Sequence, residues 1–242
     1  MDGAAQKTDR ARAGLPANDL QAKRREASEQ SKGASEESIY TAIEYRLADL
    51  GASGEAMDFG AGTGELTRRL HRSGRFRSIA GADLYPRAAD LDPGIGWIEG
   101  DLNDPLPSPP ATFDLIVAAE VIEHLENPRA VCRELFRLLR PGGHVLLSTP
   151  NNESWRALVA LVVRGHFVAF GDSSYPAHIT ALTRLDLHRA LSEAGFRQIV
   201  FGFTDVGGIP GLPSRTWQSL FGRGARGLRF SDNVLVSARK DL

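Results

Sequence analysis

From Ser35 to Leu50 the apolar residues Ile39, Ile43, Leu47 and Leu50 recur at helical spacing before Gly51, with Ser35 placed to cap and Glu36 and Glu37 suited to a first turn. A helix packed on a domain is expected there. Beyond it, short apolar runs alternate with amphipathic ones. The pattern predicts strands at 55–59, 77–83, 96–100, 113–118, 143–149, 197–204 and 232–239, and helices at 63–73, 126–140 and 183–194. The last two helices run into Pro141-Gly142-Gly143 and Gly195, as helix C-termini tend to. Strand and helix in turn imply an α/β fold with a mostly parallel sheet covered on both faces. No helical pattern separates 197–204 from 232–239, which suits antiparallel neighbours. Two stretches, 150–182 and 205–231, exceed ordinary loop length and carry aromatics such as Trp155, Phe170, Tyr175, Trp217 and Phe221. Both follow strand C-termini, where open α/β sheets bind ligands, so they are the expected substrate cap.

Residues 1–33 are rich in Ala, Gln, Lys, Arg, Glu and Ser and almost without large apolar side chains. Such a composition cannot offset chain entropy, so a disordered tail is expected there, dispensable for folding, with Lys23-Arg24-Arg25 as a solvated basic run. Residues 34–242 then form a single domain. The net charge of −1 gives no electrostatic case for long nucleic acid or an anionic membrane surface as the obligatory partner. The lone cysteine, Cys132, has no internal partner, and no basic start followed by an apolar stretch marks a secretory leader, so a cytoplasmic location is expected. The longest apolar run, Ala157 to Val163, is far short of the roughly 20 residues that span a bilayer.

The candidate chemistry begins at Met57-Asp58-Phe59-Gly60-Ala61-Gly62-Thr63-Gly64-Glu65-Leu66. Here an apolar strand breaks into three glycines spaced two apart and then into a helix, a turn that lets backbone approach a nucleotide closely. A dinucleotide turn would place its third glycine one residue later, which argues against NAD, and the G-K-S/T of a phosphate loop is absent. The run resembles the first motif of class I S-adenosylmethionine (SAM) methyltransferases. Asp83 ends a strand about 20 residues further on, where a carboxylate can accept both ribose hydroxyls. Gly100-Asp101-Leu102, the strand Phe113–Ala119, the turn Leu139-Arg140-Pro141-Gly142-Gly143 and Ala194-Gly195-Phe196 follow in the order of that superfamily's later motifs. The resemblance implies a seven-stranded Rossmann-like sheet with one antiparallel strand. It also implies SAM held by Asp58, Gly60, Ala61, Gly62, Gly64, Asp83, Leu84, Asp101, Leu102 and Glu120.

Methyl transfer needs an aligned acceptor, and a hydroxyl acceptor also needs a base or a metal. In Glu120-Val121-Ile122-Glu123-His124 the polar residues stand at i, i+3 and i+4, which puts all three on one helical face beside the expected donor methyl. The run resembles the E-x-x-E-H metal motif of ubiquinone-biosynthesis O-methyltransferases and of small-RNA 2′-O-methyltransferases. By that resemblance His178 is the expected fourth ligand, beside Glu120, Glu123 and His124. Two carboxylates and two imidazoles suit Zn, Mn, Fe or Co better than Mg. Without a metal, His124 is the candidate base and Glu120 its neighbour. The expected function is SAM-dependent O-methylation of a small molecule such as a sugar, glycan precursor or phenolic compound. A small-RNA methyltransferase and a non-catalytic SAM-binding protein are the alternatives.

Overall fold

The computed structural model describes residues 17–31 and 33–241. In chain order these form α1 (Ala17–Ser31), α2 (Glu37–Leu50), β1 (Gly54–Phe59), α3 (Glu65–Arg72), β2 (Phe76–Asp83), β3 (Gly96–Glu99), β4 (Phe113–Ala119), α4 (Pro128–Leu138) and β5 (Leu139–Pro150). Next come α5 (Trp155–Arg164), α6 (Arg184–Ala194), β6 (Arg197–Phe203), the short pair β7 (Gly208–Ile209) and β8 (Leu212–Thr216), α7 (Trp217–Phe221) and β9 (Asn233–Arg239). Seven strands share one sheet in the order β3-β2-β1-β4-β5-β9-β6. β1, β2, β3, β4 and β5 pair in parallel, and β9 runs antiparallel to both β5 and β6, so β9 is the single reversed strand. The fold is therefore the expected Rossmann-like one.

Alternation along the central strands decides which helix covers which face, because successive side chains point to opposite sides. In β4, Leu115 and Val117 join Ile39, Ile43, Leu47, Leu66 and Leu70 of α2 and α3. Ile116 and Ala118 face the other way, into a larger cluster with Leu135 and Leu138 of α4 and Leu187 and Leu191 of α6. These strand residues are almost fully buried, as a parallel sheet covered on both faces requires. Chain order reverses around β1, whose neighbours are β2 on one side and β4 on the other. The crevice outside the C-terminal ends of β1 and β4 is thus the place for a ligand.

Several elements depart from the sequence reading, α2, β5 and α1 among them. α2 starts at Glu37 with no side-chain cap, and the Ser35 backbone N–H donates instead to Tyr40 Oη at 2.8 Å. β5 begins already at Leu139, because this buried side chain pairs with Phe113 before the Pro141-Gly142 turn. The third departure is the expected tail, which is helical over Ala17–Ser31; residues 1–16 and Lys32 lie outside the described residues. Composition misses α1 because polar contacts hold it. Arg24 reaches Asp101 and Glu126, and the Arg25 carbonyl accepts from Tyr85 Oη. Among the described residues no helix is long and apolar enough to cross a membrane.

Candidate functional site

The glycine turn is built where β1 meets β2. Gly60 N and Ala61 N both donate to Ala82 O, at 2.8 and 3.1 Å, which folds the chain sharply at the strand end. Gly62 has a φ of +50°, and a Cβ there would collide with the Gly33 carbonyl. That carbonyl accepts from Thr63 N at 2.9 Å and Thr63 Oγ1 at 3.1 Å, so the segment before α2 clasps the loop. Asp83 braces it from the other side: its Oδ2 accepts from Gly62 N at 2.7 Å and its Oδ1 from Tyr85 N at 3.1 Å. Asp58 is buried beneath the turn, where its Oδ2 accepts from Thr67 Oγ1 at 2.6 Å. Burial pushes the Asp58 carboxyl up to about 7, against the pull of the Thr67 hydrogen bond.

A cavity of about 860 Å³ opens over this turn. Asp58, Gly60, Ala61, Gly62, Asp83, Leu84, Asp101, Leu102 and Glu120, all expected cofactor residues, line it. Gly64 does not. It ends the loop at the N-cap of α3, packed against Leu91. Asp101 Oδ1 accepts from the backbone and side chain of Asn103 at 2.9 and 3.0 Å, and its Oδ2 from Arg24 Nη1 at 2.9 Å. Burial raises the Asp101 carboxyl, but the Asn103 and Arg24 hydrogen bonds outweigh it and hold the group below its ordinary range. Of the two expected cap stretches, 150–182 contributes Asn151, Arg156, Val168, Tyr175 and Ile179 to the wall. Among the described residues none of 205–231 lines it; that stretch packs behind α5, with the Trp155 backbone N–H donating to Arg229 O.

At the far end of the cavity the expected metal residues separate into two groups. Glu120 has a φ of +55°, and only a single 3₁₀ turn, Ile122–His124, follows it, so no continuous helical face forms. The Glu120 carboxylate is taken up by Ser148 Oγ and Asn233 Nδ2, each at 2.8 Å, and burial raises it to about 7 in spite of them. It stands outside the cluster that the structure does assemble. Glu123, His124 and His178 each bring one ligand atom within 4.8 Å of the others.

That cluster is held from behind. The fully buried Glu123 accepts from Thr149 Oγ1 through Oε2 at 3.0 Å, and its backbone carbonyl accepts from Ile179 N and Thr180 N. These last two bonds carry the segment with His178 onto the 3₁₀ turn. His124 Nδ1 lies 2.8 Å from Ala177 O and His178 Nδ1 lies 2.7 Å from Ala169 O. A carbonyl only accepts, so both Nδ1 atoms carry the proton and both Nε2 atoms offer a lone pair. Burial lowers both imidazoles, His124 to about 4, which keeps them neutral. Among the described residues the buried Glu123 Oε1 has no hydrogen-bond partner. A buried carboxyl and two imidazoles that keep an Nε2 lone pair therefore stand together, each with a ligand atom within 4.8 Å of the others. Such an array fits a divalent cation of the Zn, Mn, Fe or Co type, with the backbone carbonyls behind the histidines fixing the tautomer.

Ser148, Thr149, Asn151, Asn233 and Arg24 complete the site and were not assigned to it from the sequence. For the first three a signal existed: the strand Val145-Leu146-Leu147 turns abruptly polar at Ser148-Thr149-Pro150-Asn151.

A family model described as a methyltransferase domain matches residues 33–200. The chain is 28% identical over 200 residues to a protein named "Ubiquinone biosynthesis O-methyltransferase, mitochondrial" from Schizosaccharomyces pombe, covering 77% of this chain and 69% of that one. It is 29% identical over 174 residues to a "Ubiquinone biosynthesis O-methyltransferase" from Psychrobacter arcticus, covering 67% of each. Among solved structures, a SAM-dependent methyltransferase from Archaeoglobus fulgidus superposes with a TM-score of 0.60 at 17% identity, covering 88% of this chain and 97% of that one.

Proposed function

The chain belongs to the class I SAM-dependent methyltransferases, and from that premise we propose that it methylates a hydroxyl oxygen of a small molecule with the help of a divalent cation held by Glu123, His124 and His178. The observation that carries this reading is the orphaned Oε1 of Glu123 beside two histidine lone pairs. The names of the relatives in ubiquinone biosynthesis support an oxygen acceptor.

SAM supplies an electrophilic methyl group on sulfur. The glycine turn and Asp83 would hold the cofactor's sugar and amino-acid ends, Asp101 and Leu102 its base, and Asp58, under the turn, would be the partner for an ammonium group. Transfer would be an in-line displacement: an acceptor oxygen lone pair forms the new O–C bond, the electron pair of the broken C–S bond returns to sulfur, and the proton of the acceptor hydroxyl passes to water. The enzyme's contribution is largely alignment, worth several orders of magnitude in rate. A cation at the cluster would lower the pKa of an acceptor hydroxyl, the task for which an alcohol or phenol needs help near neutral pH. Tyr175 and Arg156, the latter paired with Asp232, line the rest of the cavity and are polar groups that would orient the acceptor.

Activity on an acceptor panel spanning phenolic compounds and sugars, with and without chelator, tests the reading. Chelation is expected to abolish turnover while leaving SAM affinity nearly unchanged, and added Mn or Co to restore it. Full activity in protein shown metal-free by elemental analysis would overturn the metal role. The free Nε2 of His124 would then be the base, and His124→Ala should cost roughly two to four orders of magnitude in rate with His178→Ala nearly silent.

A further inference from the structure

The basic run Lys23-Arg24-Arg25 is not a solvated tail. Its central residue is the most heavily paired cation on α1. Arg24 donates from Nε and Nη2 to the two oxygens of Glu126, at 3.0 and 2.8 Å, and from Nη1 to Asp101 at 2.9 Å, with Asp104 at 3.4 Å on the edge. Its side chain is only 16% exposed, and Asp101 only 18%. A fork-to-fork bridge of this kind is directional, and several carboxylates around one guanidinium form a network rather than an isolated surface pair.

The two anchors are the informative part. Asp101 belongs to the cofactor end of the cavity, while Glu126 lies two residues beyond His124, on the turn that carries the proposed metal ligands. Arg24 therefore ties α1 to both halves of the site. The half-buried residues of α1, Leu20, Arg24, Ala27, Ser28 and Ser31, recur at helical spacing on one face, and that same face lines the cavity. Leu20 is the only large apolar side chain among the fifteen residues of α1. So apolar burial contributes little to its docking, and charge and hydrogen bonding hold it. At the other end the chain turns at Gly33, whose carbonyl is bonded to Thr63 in the glycine loop. A helix of about 22 Å, at 1.5 Å per residue, thus holds Asp101 and Glu126 from its middle and leads at its end into the segment bonded to the glycine turn.

We propose that α1 is the outer wall of the cofactor site and that Arg24 is the positioning residue that holds it shut, through Glu126 and Asp101. With the latch made, bound cofactor or product leaves only when these charge-assisted bonds break. The retention time of the ligand is then set by Arg24. Glu126 acts through Arg24 alone.

The test uses the full chain and radiolabelled S-adenosylhomocysteine, with dissociation followed after a cold chase. Arg24→Ala is expected to speed dissociation about tenfold, the effect of losing on the order of 1.4 kcal/mol, without slowing association. Wild-type dissociation should quicken with added salt, and that of Arg24→Ala should not, since the latch is ionic. Glu126→Gln should reproduce part of the effect and add nothing to Arg24→Ala in the double variant. A chain beginning at Gly33 should release the ligand as fast as Arg24→Ala while keeping the circular dichroism of the sheet. Dissociation from Arg24→Ala within twofold of wild type, or additive effects of the two substitutions, would overturn the latch. Failure of the wild type to bind the ligand at all would instead count against the cofactor assignment.

Discussion

Asp58 shows most clearly how one side chain trades stability for binding. It is 1% exposed, and among the described residues its only side-chain partner is Thr67. Its carboxyl is raised from 3.8 to about 7 by burial. A raised acid holds its proton longer in the folded state than in the unfolded chain, so folding stability falls as pH rises from about 4 through 7. Asp58→Asn removes this dependence. The SAM-free variant is expected to be more stable than wild type at pH 8, by on the order of 1–3 kcal/mol, with little difference at pH 4. It should also bind SAM more weakly, because the ammonium loses its carboxylate. Melting curves at the two pH values and calorimetry check this; equal pH slopes for the two proteins would show that Asp58 ionises freely when folded. At this scale the sequence was readable wherever a residue's position follows from a strand end. The acids at 83 and 101 and the glycines at 60 and 62 reach the cavity for that reason. Glu120 was misread as a member of the metal cluster because the i, i+3, i+4 argument presumes a helix, and its left-handed backbone sends the carboxylate to Ser148 and Asn233.

Among elements, those with a periodic apolar face were legible and those held by polar contacts were not. α6 was foreseen from its spacing and is sealed by a capping box, Thr183 with Asp186. α5 was lost inside a stretch read as loop, although Ser154 caps it through Ala157 N and Gly165 follows it. Its run Ala157–Val163 shows no alternation because Val162 and Val163 are exposed while Ala157 and Ala160 are buried, which blurs a helical stripe. α1 is the extreme case, with a docking face made of one arginine, small residues and a single leucine. Its contribution to the sheet's stability should be small. The chain beginning at Gly33 is accordingly expected to melt within a few degrees of the full chain, and a drop beyond about 10 °C would show that α1 supports the core as well as the cofactor.

At the scale of the whole molecule, the strand order places β1 and β4 side by side at the centre, so the glycine turn after one and the Glu120–Leu125 segment after the other face each other across a single crevice. The seven strands with one reversed were implied by the family resemblance, and binding at the strand C-termini by the α/β pattern, whereas the order of the strands in the sheet comes from the structure. What the motif order does not carry is the return of residues 176–180 onto that crevice, which depends on two backbone bonds to the Glu123 carbonyl and so on tertiary packing. That return brings His178 to within 4.8 Å, ring to ring, of His124 and makes the cluster. The claim that the cluster holds a cation is tested most directly by anomalous X-ray diffraction from crystals of the full chain grown with S-adenosylhomocysteine and Mn. The expected result is one anomalous peak bounded by Glu123 Oε1 and the Nε2 atoms of His124 and His178. Well-defined S-adenosylhomocysteine in the cavity with no anomalous peak among those three atoms would contradict it.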